Sequence, residues 1–146
     1  MKTAAEILRT KSDSTVYSIA PTASVFDAVA LMAQKGIGAL LVMEGEDIVG
    51  IVTERDYARK IILMGRTSKE TPVLAIMTAE VMYVRPEHTS EECMALMTEN
   101  RLRHLPVIDN GKLIGLLSIG DLVKDIISDQ RFTIEQLEHY IRGELR

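Results

Sequence analysis

An α+β fold made of two copies of one βαββα unit is what this sequence predicts, and three observations predict it. The chain is internally duplicated. Within each copy the apolar residues switch between helical and strand spacing. Each copy also holds two apolar runs joined by a tight-turn signal.

The duplication is gapless. Residues Val16–Ile62 align with Val81–Ile127 at a constant offset of 65 residues. Identities fall at Val16/Val81, Pro21/Pro86, Ala30/Ala95, Leu31/Leu96, Met32/Met97, Leu40/Leu105, Val42/Val107, Gly50/Gly115, Asp56/Asp121, Ile61/Ile126 and Ile62/Ile127. Most are apolar or turn positions, as one shared fold requires. Gly50 and Asp56, with their partners, are neither and need another reason.

Each copy reads in the same order. A short strand (Val16–Ile19, Val81–Val84) stops at a proline, which has no N–H for a ladder. A helix follows, opened by Ser24 with Asp27 and by Thr89 with Glu92 at capping-box spacing. Val25, Ala28, Val29 and Met32 recur at helical spacing. Two strands come next, Ala39–Met43 with Ile48–Val52, and His104–Ile108 with Leu113–Leu117. Asn110-Gly111 is a favoured hairpin turn. A second helix starts near Glu54 or Ile119 and runs to about Leu63 or Ser128. Gly65–Glu70 reads as the linker.

Outside the repeats, Thr3–Arg9 reads as a short helix and Thr133–Leu145 as a separate terminal helix capped by Thr133 and Gln136. The expected division is 1–66 for the first repeat with its N-terminal segment, 67–130 for the second repeat, and 131–146 for the C-terminal helix. The two repeats are expected to form one module about a pseudo-twofold axis.

Composition narrows the function. The chain has 146 residues, enough to bury a core without staples. Aromatic content is 4% with no Trp, so that core must be aliphatic. A net charge of −4 argues against nucleic acid, whose phosphates need a basic surface. A single cysteine, Cys93, rules out an intramolecular disulfide and suits a reducing cytoplasm. No apolar run reaches the ~18 residues of a membrane span, and no secretory h-region opens the chain.

The chemistry concentrates where each third strand ends. Copy one reads Thr53-Glu54-Arg55-Asp56 and copy two Ser118-Ile119-Gly120-Asp121. A hydroxyl leaves the strand, and an aspartate follows in the first helical turn. Helix capping explains that spacing by itself. The same geometry suits a ligand, because a helix start favours phosphate and a carboxylate can accept both hydroxyls of a ribose.

With these turns, Pro21 and Pro86, Arg103-His104-Leu105-Pro106-Val107 and Ile76-Met77-Thr78 in view, the chain resembles a tandem pair of CBS domains, the Bateman module, over about residues 3–130. The resemblance implies a regulatory, non-enzymatic module. It would bind an adenosine ligand, AMP first, with ADP, ATP, NAD or S-adenosylmethionine as alternatives. It implies that Asp56 and Asp121 hold ribose hydroxyls, and that Thr53, Arg55, Ser118, Arg103 and His104 face phosphate. Ser18, Ile19, Ala20, Gly38 and Ala39, with Tyr83, Val84, Arg85, Leu105 and Pro106, would line the adenine pocket. Copy one has Gly38-Ala39 where copy two has Arg103-His104, so phosphate preference should differ between copies. The resemblance further implies a homodimer, with Leu122, Val123, Ile126 and Ile127, and Tyr57, Ile61 and Ile62, as candidate contact residues.

The rival reading is a constitutive interaction scaffold with degenerate clefts. An enzyme finds little support. Gly36-Ile37-Gly38 precedes a strand and lacks the third glycine of a dinucleotide fingerprint. No phosphate loop or nucleophile elbow is present. The three histidines and Cys93 lack metal-ligand spacing.

Overall fold

The computed structural model describes residues 2–11 and 13–143. The chain forms two compact units, one spanning Thr15–Met82 and the other joining Met1–Ser14 to Tyr83–Arg146.

The first unit holds a three-stranded sheet of order β1-β2-β3, with β1 at Ser18–Ile19, β2 at Ala39–Glu44 and β3 at Asp47–Thr53. β1 runs parallel to β2, and β2 antiparallel to β3. Helix α2, Val25–Lys35, is capped by the Ser24 hydroxyl and ends at Gly36 in the left-handed region, φ 65°. Helix α3, Glu54–Tyr57, continues as a π-helical turn over Ala58–Ile62. Val25, Ala28, Met32, Leu40, Val42, Val52, Ile61, Val73 and Ile76 form the core. It is aliphatic, as the composition requires.

The second unit repeats this plan. Helix α4 is Ser90–Asn100, and β4 (His104–Asp109) pairs antiparallel with β5 (Lys112–Ser118). Asn110 and Gly111 both have positive φ, 51° and 77°, so the hairpin turn is of the expected primed type. The expected strand at Val81–Val84 shrinks to one parallel bridge, Val84 to Val107, matching Ile19 to Val42 in the first unit.

The N-terminal segment does not belong with the first repeat, where sequence proximity places it. Helix α1, Ala4–Thr10, packs in the second unit, with Ala4, Ile7 and Leu8 in that core. Its backbone docks through Ala4 N–H to the His88 carbonyl at 2.7 Å, Ala5 N–H to Pro86 at 3.0 Å, and Ser90 N–H to Lys2 at 2.9 Å. In the first unit the stretch that follows copy one does the same. Val73 N–H donates to Ala23 at 2.8 Å, Leu74 N–H to Pro21 at 3.0 Å, and Val25 N–H to Thr71 at 2.9 Å. The docking segment thus precedes the repeat in one unit and follows it in the other.

This explains the duplicated glycines. A Cβ on Gly50 would lie 2.6 Å from Met77 Sδ and 3.0 Å from the Thr78 carbonyl oxygen. A Cβ on Gly115 would lie 2.7 Å from both Leu8 Cδ atoms. Each docking segment lies against the strand that holds this glycine, β3 or β5, where only a bare Cα leaves room.

One further expectation fails. The second helix of copy two and the terminal helix are a single element, α5, Ile119–Ile141. No proline interrupts this stretch, and Thr133 caps nothing; its hydroxyl donates to the Asp129 carbonyl one turn back at 3.1 Å. The expected end at Leu145 lies outside the described residues.

Candidate ligand site at two helix starts

Both hydroxyl-x-x-aspartate turns form complete capping boxes. Thr53 stays extended at φ −127°, ψ 163°, so its hydroxyl meets the free amides of the helix it starts. Asp56 N–H donates to Thr53 Oγ1 at 3.1 Å, and Asp56 Oδ2 accepts from Thr53 N–H at 3.0 Å and from its hydroxyl at 3.1 Å. In copy two, Asp121 N–H donates to Ser118 Oγ at 3.2 Å, and Asp121 Oδ2 accepts from Ser118 N–H at 2.8 Å.

Neither acid faces open water. Their side chains are 13% and 16% exposed, and each meets a lysine within its own unit. Lys60 Nζ lies 3.3 Å from Asp56, and Lys11 Nζ 3.0 Å from Asp121. Each lysine also donates to a backbone carbonyl, Lys60 to Ile76 and Lys11 to Leu116, both at 2.8 Å. The i, i+4 spacing of Asp56 and Lys60 was legible in the sequence. Lys11 was not, because it arrives on the N-terminal segment.

The neighbouring strands put Gly38, Ala39, Arg103 and His104 beside these turns. Ala39 pairs with Thr53 across β2–β3, and His104 with Ser118 across β4–β5. Glu54 N–H donates to the Gly38 carbonyl at 3.1 Å, and Ile119 N–H to Arg103 at 2.8 Å. The surroundings differ in charge between copies. Glu54 Oε1 occupies the space beside Gly38 that a Cβ would need, at 2.8 Å. Copy two has Arg103 there, with His104 and Lys11 nearby. Burial pushes the His104 imidazole below its ordinary value, Lys11 and Arg103 add to that, and Asp121 opposes it.

The adenine-pocket candidates divide. Ser18, Ala20, Tyr83 and Arg85 are exposed, Ile19 and Gly38 partly so. Ala39, Val84, Leu105 and Pro106 are buried, and Val84 and Leu105 belong to the core. Val84 also has both backbone groups engaged, its N–H with the Pro106 carbonyl and its carbonyl with Ile108 N–H, each at 2.9 Å. Arg85 N–H is held by His88 Nδ1 at 2.9 Å, so His88 braces the turn after the first strand. Arg55 is exposed on the first turn of α3. Among the described residues no group of three or more His, Cys, Asp or Glu side chains could hold a metal ion. No described helix is long and apolar enough to cross a membrane.

The CBS domain family model matches residues 4–63 and 73–128. The chain belongs to the CBS domain family. A mitochondrial CBS domain-containing protein of Arabidopsis thaliana, CBSX3, is 46% identical over 125 residues, 82% of this chain. The match spans 61% of that relative, so this chain covers under two thirds of it. YhcV of Bacillus subtilis (strain 168) is 31% identical over 79% of this chain and 81% of its own. Among solved structures, a candidate signal-transduction protein with CBS domains from Burkholderia ambifaria MC40-6 is 62% identical, with a TM-score of 0.86 over 88% of this chain and 96% of that one. A hexameric CBS-CP12 protein from bloom-forming cyanobacteria is 34% identical, with a TM-score of 0.74 over 84% of this chain and 70% of that one. The two matched segments each contain one copy of the duplicated stretch, so each capping box opens the second helix of a CBS repeat. The docking segments Ala4–Thr10 and 73–78 are matched ahead of the repeat they precede in sequence and pack in the other unit.

Proposed function

We propose that this chain is a non-enzymatic regulatory module that binds an adenosine ligand, AMP first, with ATP, NAD and S-adenosylmethionine as alternatives. The observation that supports it is the duplicated pair of largely buried carboxylates at helix starts, each beside a hydroxyl and the first turn of its helix. A ribose diol would exchange with the lysine on each acid, and phosphate would meet the helix start. The second CBS repeat is the stronger phosphate site, since Lys11, Arg103 and His104 stand there, whereas Glu54 stands in the first. The module would act in a reducing cytoplasm, consistent with one buried cysteine, and as a homo-oligomer.

The scaffold reading keeps one specific support: both carboxylates are already satisfied by capping and by a lysine. Thermal melting with AMP, ATP, NAD and S-adenosylmethionine separates the two readings. A ligand at ~100 times its Kd adds about 2.7 kcal/mol of stability. Asp121→Asn should abolish the largest shift. If none of the four ligands moves the wild-type transition, the scaffold reading stands instead.

A further inference from the structure

Helix α5 has 23 residues, and its buried positions, Leu122 and Asp125, lie in the first two turns. Beyond them the helix runs on for about 24 Å at ~1.5 Å per residue. Every described residue from Ile126 to Ile141 is exposed. Yet Ile127, Gln130, Ile134, Leu137 and Ile141 follow one another at intervals of three, four, three and four. That is the seam of a coiled coil, two heptads long. Ile134, Leu137 and Ile141 are 54%, 57% and 81% exposed. Helices owe most of their stability in proteins to a packed apolar face, and nothing among the described residues covers this one.

We propose that this seam pairs antiparallel with the same seam of a second copy of the chain. Charge decides the occupant and its direction. With a two-fold axis between Glu135 and Gln136, Ile134 faces the partner's Leu137, and Gln130 faces the partner's Ile141 at the wet ends of the overlap. The flanking positions then set Arg131 against the partner's Glu138, twice by symmetry. A parallel pair would put Arg131 beside the partner's Ile126 and Glu138 beside the partner's Thr133, with no ion pair. An antiparallel contact is also isologous, so it closes at two copies. It requires no ligand, and it excludes Leu122 and Ile61 from any contact face, since both are buried in their own cores.

Sedimentation velocity on the full chain tests this. Leu137→Glu should remove one two-fold step of assembly, with any loss of the circular-dichroism helix signal limited to the stretch beyond Asp125, whose side chains belong to neither core. Glu138→Arg should weaken association by roughly tenfold or more, since like charges then oppose one another at both ends. The double variant Arg131→Glu, Glu138→Arg should restore it. A monomeric wild type, an unchanged mass in Leu137→Glu, or charge variants that behave alike would each overturn the proposal.

Discussion

Leu8 lies on the bare Cα of Gly115, as Met77 lies on that of Gly50 in the other unit. The two contacts are not equally forgiving. An alanine at 115 meets only the branched end of a leucine, whereas an alanine at 50 also meets the Thr78 backbone carbonyl at 3.0 Å. That carbonyl is fixed by the reciprocal pair between Ile51 and Thr78. Overpacking of this kind costs typically ~1–3 kcal/mol. Gly50→Ala should fall at the upper end and Gly115→Ala at the lower. Urea unfolding of both variants gives the order, and a reversed order would show that Leu8 is the more rigid contact.

Arg101 ends α4 at φ 54°, the place where Gly36 ends α2 at 65°. A side chain in the left-handed region costs about 1–2 kcal/mol, which glycine avoids. Part of that gain is lost to the greater freedom of glycine in the unfolded chain. Arg101→Gly should therefore raise the melting temperature by a few degrees, whereas Gly36→Arg should lower it.

Asp125 is buried, with 3% of its side chain exposed, and Lys2 Nζ stands 3.2 Å away. Neither carboxylate oxygen has a hydrogen-bond partner among the described residues. Lys2→Met would leave a buried charge alone. The loss should be about 1–3 kcal/mol, less than for a fully buried pair because Lys2 is itself one-third exposed. Adding Asp125→Leu should recover most of it, since apolar replacement of such pairs is often neutral or better. Denaturant midpoints for the single and double variants check both halves.

His104 makes the fold acid-sensitive. Its folded pKa lies below the ordinary 6.5, chiefly through burial. The unfolded chain therefore binds this proton more readily than the folded one. The contribution is absent above the ordinary value, and stability falls as the pH drops below it. His104→Gln should flatten that part of the stability profile between pH 7 and pH 5 while leaving the neutral value nearly unchanged. A profile identical to wild type would place the acid sensitivity elsewhere.

Much of this was legible along the chain. The gapless duplication exposed the two repeats, Asn110-Gly111 the second hairpin, and the hydroxyl-x-x-aspartate spacing both capping boxes. These are contacts between residues a few positions apart, so local geometry suffices. Val81–Val84 has the residues of a strand but pairs only at Val84. The break expected before Thr133 was equally a local reading, and it failed because threonine tolerates a helix interior by bonding back to Asp129.

The order of elements, the aliphatic cores and the charged turns follow from side-chain periodicity and capping chemistry, which act within a few residues and so can be read in one dimension. Which segment docks on which repeat, why Gly50 and Gly115 must be bare, and that Lys11 holds Asp121 were decided only in three dimensions. Those contacts join residues up to 110 positions apart, and the docking segments share a place rather than a sequence: Leu8 and Met77 do the same work with different side chains. Shape complementarity across a sheet leaves no periodic trace along the chain.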